Sequence, residues 1–185
     1  MRGDIGHEDL HERAEFHHDQ FLSFGKLDDL EKAIEYGNRA LDLTPSEHPR
    51  MPTRFTCLGA YYDDRFRQLG NLEDMEKLID CNFRALGSTP DNHPKLPLRL
   101  CNLGVSYTVR FQRLGQLDDL QKSIDYKSRA LALTPDGHPY LPDWHAALAV
   151  SYADRYRRLG ELDYLEKWVE SDSLALTLTP DDHPD

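Results

Sequence analysis

The sequence predicts an all-α solenoid of four helix-turn-helix units, eight antiparallel helices in all. Two observations predict it: a 45-residue period that runs without insertion, and apolar residues at three- and four-residue spacing within each period. Gly25, Gly70, Gly115 and Gly160 keep the period, as do Pro45, Pro90, Pro135 and Pro180, each preceded by Thr. His48-Pro49, His93-Pro94, His138-Pro139 and His183-Pro184 keep it too. The 185 residues then divide into a leader, 1–5, and repeats 6–50, 51–95, 96–140 and 141–185 of a single repeat domain, 1–185.

Repeat 51–95 shows how one unit is built. Pro52 opens helix A, because the first helical position needs no N–H. Phe55, Leu58, Gly59, Tyr62, Phe66 and Leu69 recur on one face. Gly70 stops the helix, as glycine does just past a C-terminus. Helix B begins at once, and Asp28, Asp118 and Asp163, three residues before Glu31, Gln121 and Glu166, read as N-caps of a capping box. Leu72, Met75, Ile79, Ala85 and Leu86 continue the helical period. Thr89-Pro90 ends it, since proline restricts the residue before it. The connector, with three prolines, is stiff. One such hairpin cannot bury its apolar face alone, so neighbouring copies stack to make the core.

Composition excludes several function classes. Lys and Arg number 22 against 33 Asp and Glu, a formal net charge of −11. Such a chain repels a phosphate backbone and an anionic membrane surface, so neither nucleic acid nor membrane is an expected partner. No apolar run approaches the roughly 20 residues of a membrane span. Three cysteines, Cys57, Cys81 and Cys101, are too few and too irregular for a disulfide framework, and point to a reduced, cytoplasmic setting. No cofactor motif is present.

The motifs Leu58-Gly59-x-x-Tyr62 and Leu103-Gly104-x-x-Tyr107, with Leu148-Ala149-x-x-Tyr152 one change away, resemble helix A of the tetratricopeptide repeat (TPR). Ala33 and Ala40, followed by Pro45, resemble its helix B. Later copies keep Ala85, Ala130 and Ala175 but replace the first Ala with Leu78, Ser123 and Trp168. The aromatic usual between the two is replaced by Gly37, Asn82, Lys127 and Asp172. The period of 45 resembles that of long-period arrays in fungal proteins that accompany CHAT or NB-ARC/NACHT domains. The resemblance covers residues 7–185. It implies a right-handed superhelix and a non-enzymatic scaffold binding protein or peptide partners. Its second implication is a regulatory or sensor segment of a larger CHAT- or STAND-type signalling protein.

In such arrays helix A lines the concave surface. The wheel stripe opposite the core gives Thr56, Ala60, Asp63 and Arg67, then Cys101, Val105, Thr108 and Gln112, then Ala146, Val150, Ala153 and Arg157. These small, mildly apolar positions with one polar end suit an extended peptide or a helix. Arg65, Arg110 and Arg155 sit at the edge of the core. They read as buried stems with guanidinium groups paired to a carboxylate or a helix terminus, with a ladder for an acidic ligand as the sharper alternative. The histidines before proline are expected to bond the connector backbone.

His7-Glu8-x-x-His11 matches a zinc-hydrolase motif, with His17 near the place of a third ligand. Residues 7–25 also align with helix A of the other copies, and a continuous helix turns His17 away. The zinc-dependent hydrolase is therefore the remote alternative, and no metal site is assigned. Arg13 and His17 replace the Leu58 and Tyr62 types and give the first copy a polar, capping character. Trp168, Val169, Leu174, Leu176 and Leu178 lie in the last helix B without a covering helix. Self-association through this last repeat is expected.

Overall fold

The computed structural model describes residues 6–179. Among them are eight α-helices and no strand: α1 His7–Phe24, α2 Leu27–Leu43, α3 Met51–Leu69, α4 Leu72–Gly87, α5 Leu96–Leu114, α6 Leu117–Ala132, α7 Leu141–Leu159 and α8 Leu162–Leu178. His183 and Pro184 lie outside the described residues. Odd-numbered helices are the A helices and even-numbered ones the B helices. Contacts divide the chain into two compact units, Met1–Pro90 and Asp91–Asp185. In unit 1, α1 packs on α2, α3 on α4, and α2 and α1 each contact α3. Unit 2 repeats the scheme with α5 to α8.

Each hairpin turns on one glycine. Gly115 takes φ 71°, the left-handed region that a side chain resists, and its N–H closes on the Phe111 carbonyl at 2.6 Å. Gly25, Gly70 and Gly160 repeat the geometry. The residue after each glycine is extended, and helix B starts on the next one. That displaces the expected caps: Lys26, Asn71, Gln116 and Glu161 hold the N-cap position, two residues before the anticipated Asp28, Asp118 and Asp163. The aspartates lie in the first turn, where negative charge is favoured by the helix dipole. Of these four N-cap residues only Asn71 caps with its side chain, accepting from Glu73 N at 3.0 Å.

Helix B ends on a recurring hydroxyl. Thr89 and Thr134 donate to the carbonyls of Ala85 and Ala130, each at 2.6 Å, and Thr44 and Thr179 do the same to Ala40 and Ala175. Pro52, Pro97 and Pro142 sit in the first turn of their A helices, as expected. The histidines before proline do bond the connector: Nδ1 of His48, His93 and His138 accepts from the backbone N–H two residues on, at 3.0–3.2 Å.

The core of unit 1 gathers Ala14, Phe21, Leu30, Ala33, Ile34, Leu58, Tyr61, Tyr62, Leu78 and Cys81. In unit 2, Phe111, Leu120, Ile124 and Leu148 form one cluster. The edge arginines close the hairpin corners. Arg65 grips the buried Asp74 with Nε at 3.0 Å and Nη2 at 2.6 Å, while Nη1 reaches Glu31 at 2.7 Å. Arg110 grips the buried Asp119 with the same fork, at 2.9 and 2.6 Å. The hydrogen bonds that Arg65 donates to Asp74 raise its guanidinium above the ordinary value. In the fourth copy Tyr164 replaces the aspartate, and Arg155 lies over its ring at 4.4 Å while bonding Gln121. The carboxylate-paired reading holds for Arg65 and Arg110, whose forks are already filled; Arg155 meets an amide and a ring instead.

Asp119→Ala is expected to lower unfolding free energy by about 2–3 kcal/mol, below the full cost of breaking a buried pair because the Arg110 end stays partly solvated. The exposed neighbour Asp118→Ala should change it by less than about 0.5 kcal/mol. Urea denaturation of the two variants checks the contrast, and equal losses would show that the fork contributes nothing.

Candidate functional site

The outward face of the A helices is the candidate site, and each unit presents its own. In unit 1, Thr56 and Asp63 are half-buried on α3, and Ala60 and Arg67 are exposed. Arg67 Nε meets Asp63 at 2.9 Å, so the polar end of the stripe is internally neutralised. In unit 2, Val105 on α5 is 39% exposed and Val150 on α7 is 46% exposed. Ala146, Gln112 and Arg157 flank them. Gln112 bonds Asp154 at 3.0 Å and links α5 to α7, and Arg157 pairs with the same aspartate at 3.0 Å.

Three stripe positions are not open. Cys101, Thr108 and Ala153 are buried. The helical wheel places them opposite the hydrophobic face, but neighbouring helices of unit 2 cover them. A wheel reads one helix in isolation, and these positions lie on the flank that the α5–α6–α7 packing closes. Burial also raises the Cys101 thiol to about 11 and the Cys81 thiol to about 12, too high for a thiolate nucleophile at neutral pH.

Beneath the stripe of unit 2 lies a polar interior that the hydrophobic pattern did not announce. Lys127 of α6 is 1% exposed. Its Nζ donates to Thr108 Oγ1 at 2.7 Å, Ser151 Oγ at 2.8 Å and the Ala147 carbonyl at 2.9 Å. Ser123 completes the cage, 2.6 Å from Thr108 and 3.0 Å from Ser151. The three donors of the ammonium are therefore all satisfied, by neutral acceptors. Gly104 makes the room: a Cβ there would stand 2.7 Å from Lys127 Cγ and 3.1 Å from the Ser123 carbonyl. Burial pushes the Lys127 amine down to about 8, against the weaker pull of Cys101 and Asp154. The signal was present in the sequence. Lys127 stands where the repeat resemblance places an aromatic, and Ser123 where it places alanine.

The first copy is chemically unlike the others. The histidines of His7-Glu8-x-x-His11 fall into two different groups, His7 with Glu8 and His48, and His11 with Glu15 and Cys57. His7 is met by His48 of the connector and Arg54 of α3, His11 by Cys57 of α3. Glu8 is held by Arg54 at 2.8 Å and Arg50 at 3.1 Å, and Arg54 Nη1 also bonds His7 Nδ1 at 3.0 Å. These contacts hold the Glu8 carboxyl below its ordinary value against its own desolvation. Arg54 is buried and bonds Thr44 as well, a role that its sequence gives no sign of. His17 turns to Asp29 at 2.9 Å and stacks on Tyr36, so it joins neither group. The geometry thus divides the hydrolase motif. Elsewhere, a recess of about 340 Å³ between the two connectors of unit 2 is lined by His93, Pro94, Leu133, Pro135 and His138.

At the last helix, Val169 is exposed, Leu176 is 73% exposed, and Trp168 is half-buried under Arg157 at 5.4 Å. No helix among the described residues is long and apolar enough to cross a membrane.

The buried amine gives a pH signature. Below pH 8 the folded and unfolded chains both hold the Lys127 proton, so its desolvation cost is constant. Between pH 8 and 10.5 the folded chain loses the proton first, the unfolded chain binds more protons, and the Lys127 contribution to stability rises with pH. Lys127→Met keeps the volume and leaves three hydroxyls bonded to one another. It should be more stable than the parent by about 1–3 kcal/mol at pH 7, an advantage that shrinks toward pH 10. Urea denaturation of both chains across this range checks it, and a difference independent of pH would refute the assignment.

No family model and no curated protein matches the chain. Among solved structures, it is similar to a Podosopora anserina putative kinesin light chain of nearly identical TPR-like repeats, at a TM-score of 0.63 and 14% identity, over 94% of this chain and 79% of that one. A point-substituted form of that protein superposes at 0.62 and 14% identity, over 91% and 77%. BtubC (BKLC) from P. vanneervenii matches at 0.69 and 16% identity, over 100% and 71%. At such identities the likeness is one of fold, and the fold is that of the all-α, TPR-like solenoid repeat proteins.

Proposed function

We propose that the chain is a non-enzymatic scaffold that binds a protein or peptide segment on the outward face of its A helices, best developed on α5 and α7. The observation that carries this reading is the exposure of Val105 and Val150 on neighbouring helices that Gln112 and Asp154 tie together. Branched apolar side chains facing water, with a polar rim at Arg157, suit the apolar anchors of an extended segment or an amphipathic helix. The TPR-like fold of the structural neighbours supports a protein-interaction role. The buried, high-pKa thiols of Cys81 and Cys101 accord with a chain that performs no nucleophilic chemistry. Three cysteines outside any disulfide accord with a reducing, cytoplasmic setting.

The exposed apolar side chains of α8, Leu162, Val169, Leu174, Leu176 and Leu178, support self-association as a second protein contact.

The double variant Val105→Arg, Val150→Arg should lose a partner captured by the parent chain while far-ultraviolet circular dichroism stays unchanged. Retention of the same partner would remove this face from consideration. Sedimentation equilibrium should show an average mass that rises with concentration for the parent and stays monomeric for Val169→Glu, Leu176→Glu. A parent that is monomeric at every concentration would exclude self-association.

A further inference from the structure

We propose that His11, Glu15 and Cys57 bind one zinc ion, or another borderline divalent transition metal, across α1 and α3 of unit 1. His11 and Glu15 are one helical turn apart and share a face of α1. Cys57 comes from α3, which packs against α1. The three ligand atoms lie within 4.8 Å of one another, with His11 Nε2 and Glu15 Oε1 at 3.6 Å. Zinc bonds of about 2.0–2.3 Å make the edges of a tetrahedron about 3.3–3.6 Å long. One edge is therefore already near its bound length, and the others close by at most about 1.5 Å of side-chain movement.

The donor set chooses the metal class. A thiolate, an imidazole and a carboxylate suit zinc, cobalt or nickel, whereas calcium and magnesium take oxygen alone. On binding, Cys57 loses its thiol proton to solvent. His11 is 8% exposed, Cys57 half-buried and Glu15 open to solvent, so the fourth position is left to water. The neighbouring group of His7, Glu8 and His48 is the weaker candidate. Its Glu8 and His7 already hydrogen-bond the Arg54 guanidinium, and an ion there would have to displace a buried cation.

The site occupies the α1 equivalents of the stripe positions on the other A helices. His11 stands at the helix-A position of Thr56, Cys101 and Ala146, and Glu15 at that of Ala60, Val105 and Val150, so the first copy alone carries ligands at both. The bound ion would add a coordinate tie between α1 and α3, which already meet through Glu8 and Arg54 and through His18 and Asp64.

The test titrates untagged, metal-free chain with cobalt(II), then displaces it with zinc. One equivalent should bind with a near-ultraviolet thiolate-to-cobalt charge-transfer band. Cys57→Ser should abolish the band, and Cys57→Ser and His11→Gln should each weaken zinc binding at least about tenfold. His48→Gln should leave both readouts unchanged. At about a hundredfold excess of free zinc over its Kd, the parent Tm should rise by roughly 5 °C or more. Absence of the band, undiminished zinc affinity in Cys57→Ser, or an equal loss in His48→Gln would overturn the assignment. Should a variant fail to fold, iodoacetamide labelling of Cys57 in the parent chain decides: zinc should slow it at least about tenfold, and equal rates with and without zinc would refute the site.

Discussion

The rest of the structure depends on the left-handed glycine at each hairpin corner. It ends helix A abruptly, allows one extended residue and starts helix B immediately, so two helices of sixteen to nineteen residues are held antiparallel by a two-residue turn. That shortness brings Arg65 to Asp74 and Arg110 to Asp119, nine residues apart across the corner, with both nitrogens of each fork engaged. It also aligns the apolar faces, so that Leu58 and Tyr62 of α3 meet Leu78 and Cys81 of α4 in one core. A longer turn would lose the fork and the register together.

Repetition sets the frame, and the departures from it carry the chemistry. The same structural position holds Gly37, Asn82 and Lys127 in successive copies, and each is buried. Gly37 lets Leu58 approach to 3.2 Å of a would-be Cβ, whereas Lys127 brings an amine and recruits three hydroxyls around it. The helix-A position of Thr56, Cys101 and Ala146 is His11 in the first copy, beside Glu15 and Cys57. Because the backbone repeats, a single substitution changes the chemistry of a site without changing where its atoms stand.

The fold was legible because its signals are local. The glycine corners, the proline at the start of helix A, the Thr-Pro stop and the helical spacing of Leu58, Tyr62 and Phe66 each act within one turn of chain. The helix-B caps were misplaced by two residues, since Asp118 in a first turn and Asp118 as a cap look alike until the backbone angles of Gln116 are known. The candidate site was legible in part. Val105 and Val150 are exposed as the wheel indicates, while Cys101, Thr108 and Ala153 are covered by neighbouring helices. The His7-Glu8-x-x-His11 motif, set aside at the sequence level, divides for a related reason: the face shared by His7 and His11 on one helix says nothing of what packs against each of them.

The sequence by itself determined the all-α class, the 45-residue hairpin unit, the corners and the pairing of Arg65 and Arg110 with acidic groups, though not which ones. These are consequences of backbone conformation and of distances spanned by a single helix or turn. Only the tertiary structure decided that Asp74 and Asp119 are the partners, that Lys127 is enclosed by Thr108, Ser123 and Ser151, and that Cys57 joins His11 rather than His7. Each of those depends on which side chain a second or third helix delivers to the same few ångströms, and packing between helices, not periodicity along one, fixes that delivery.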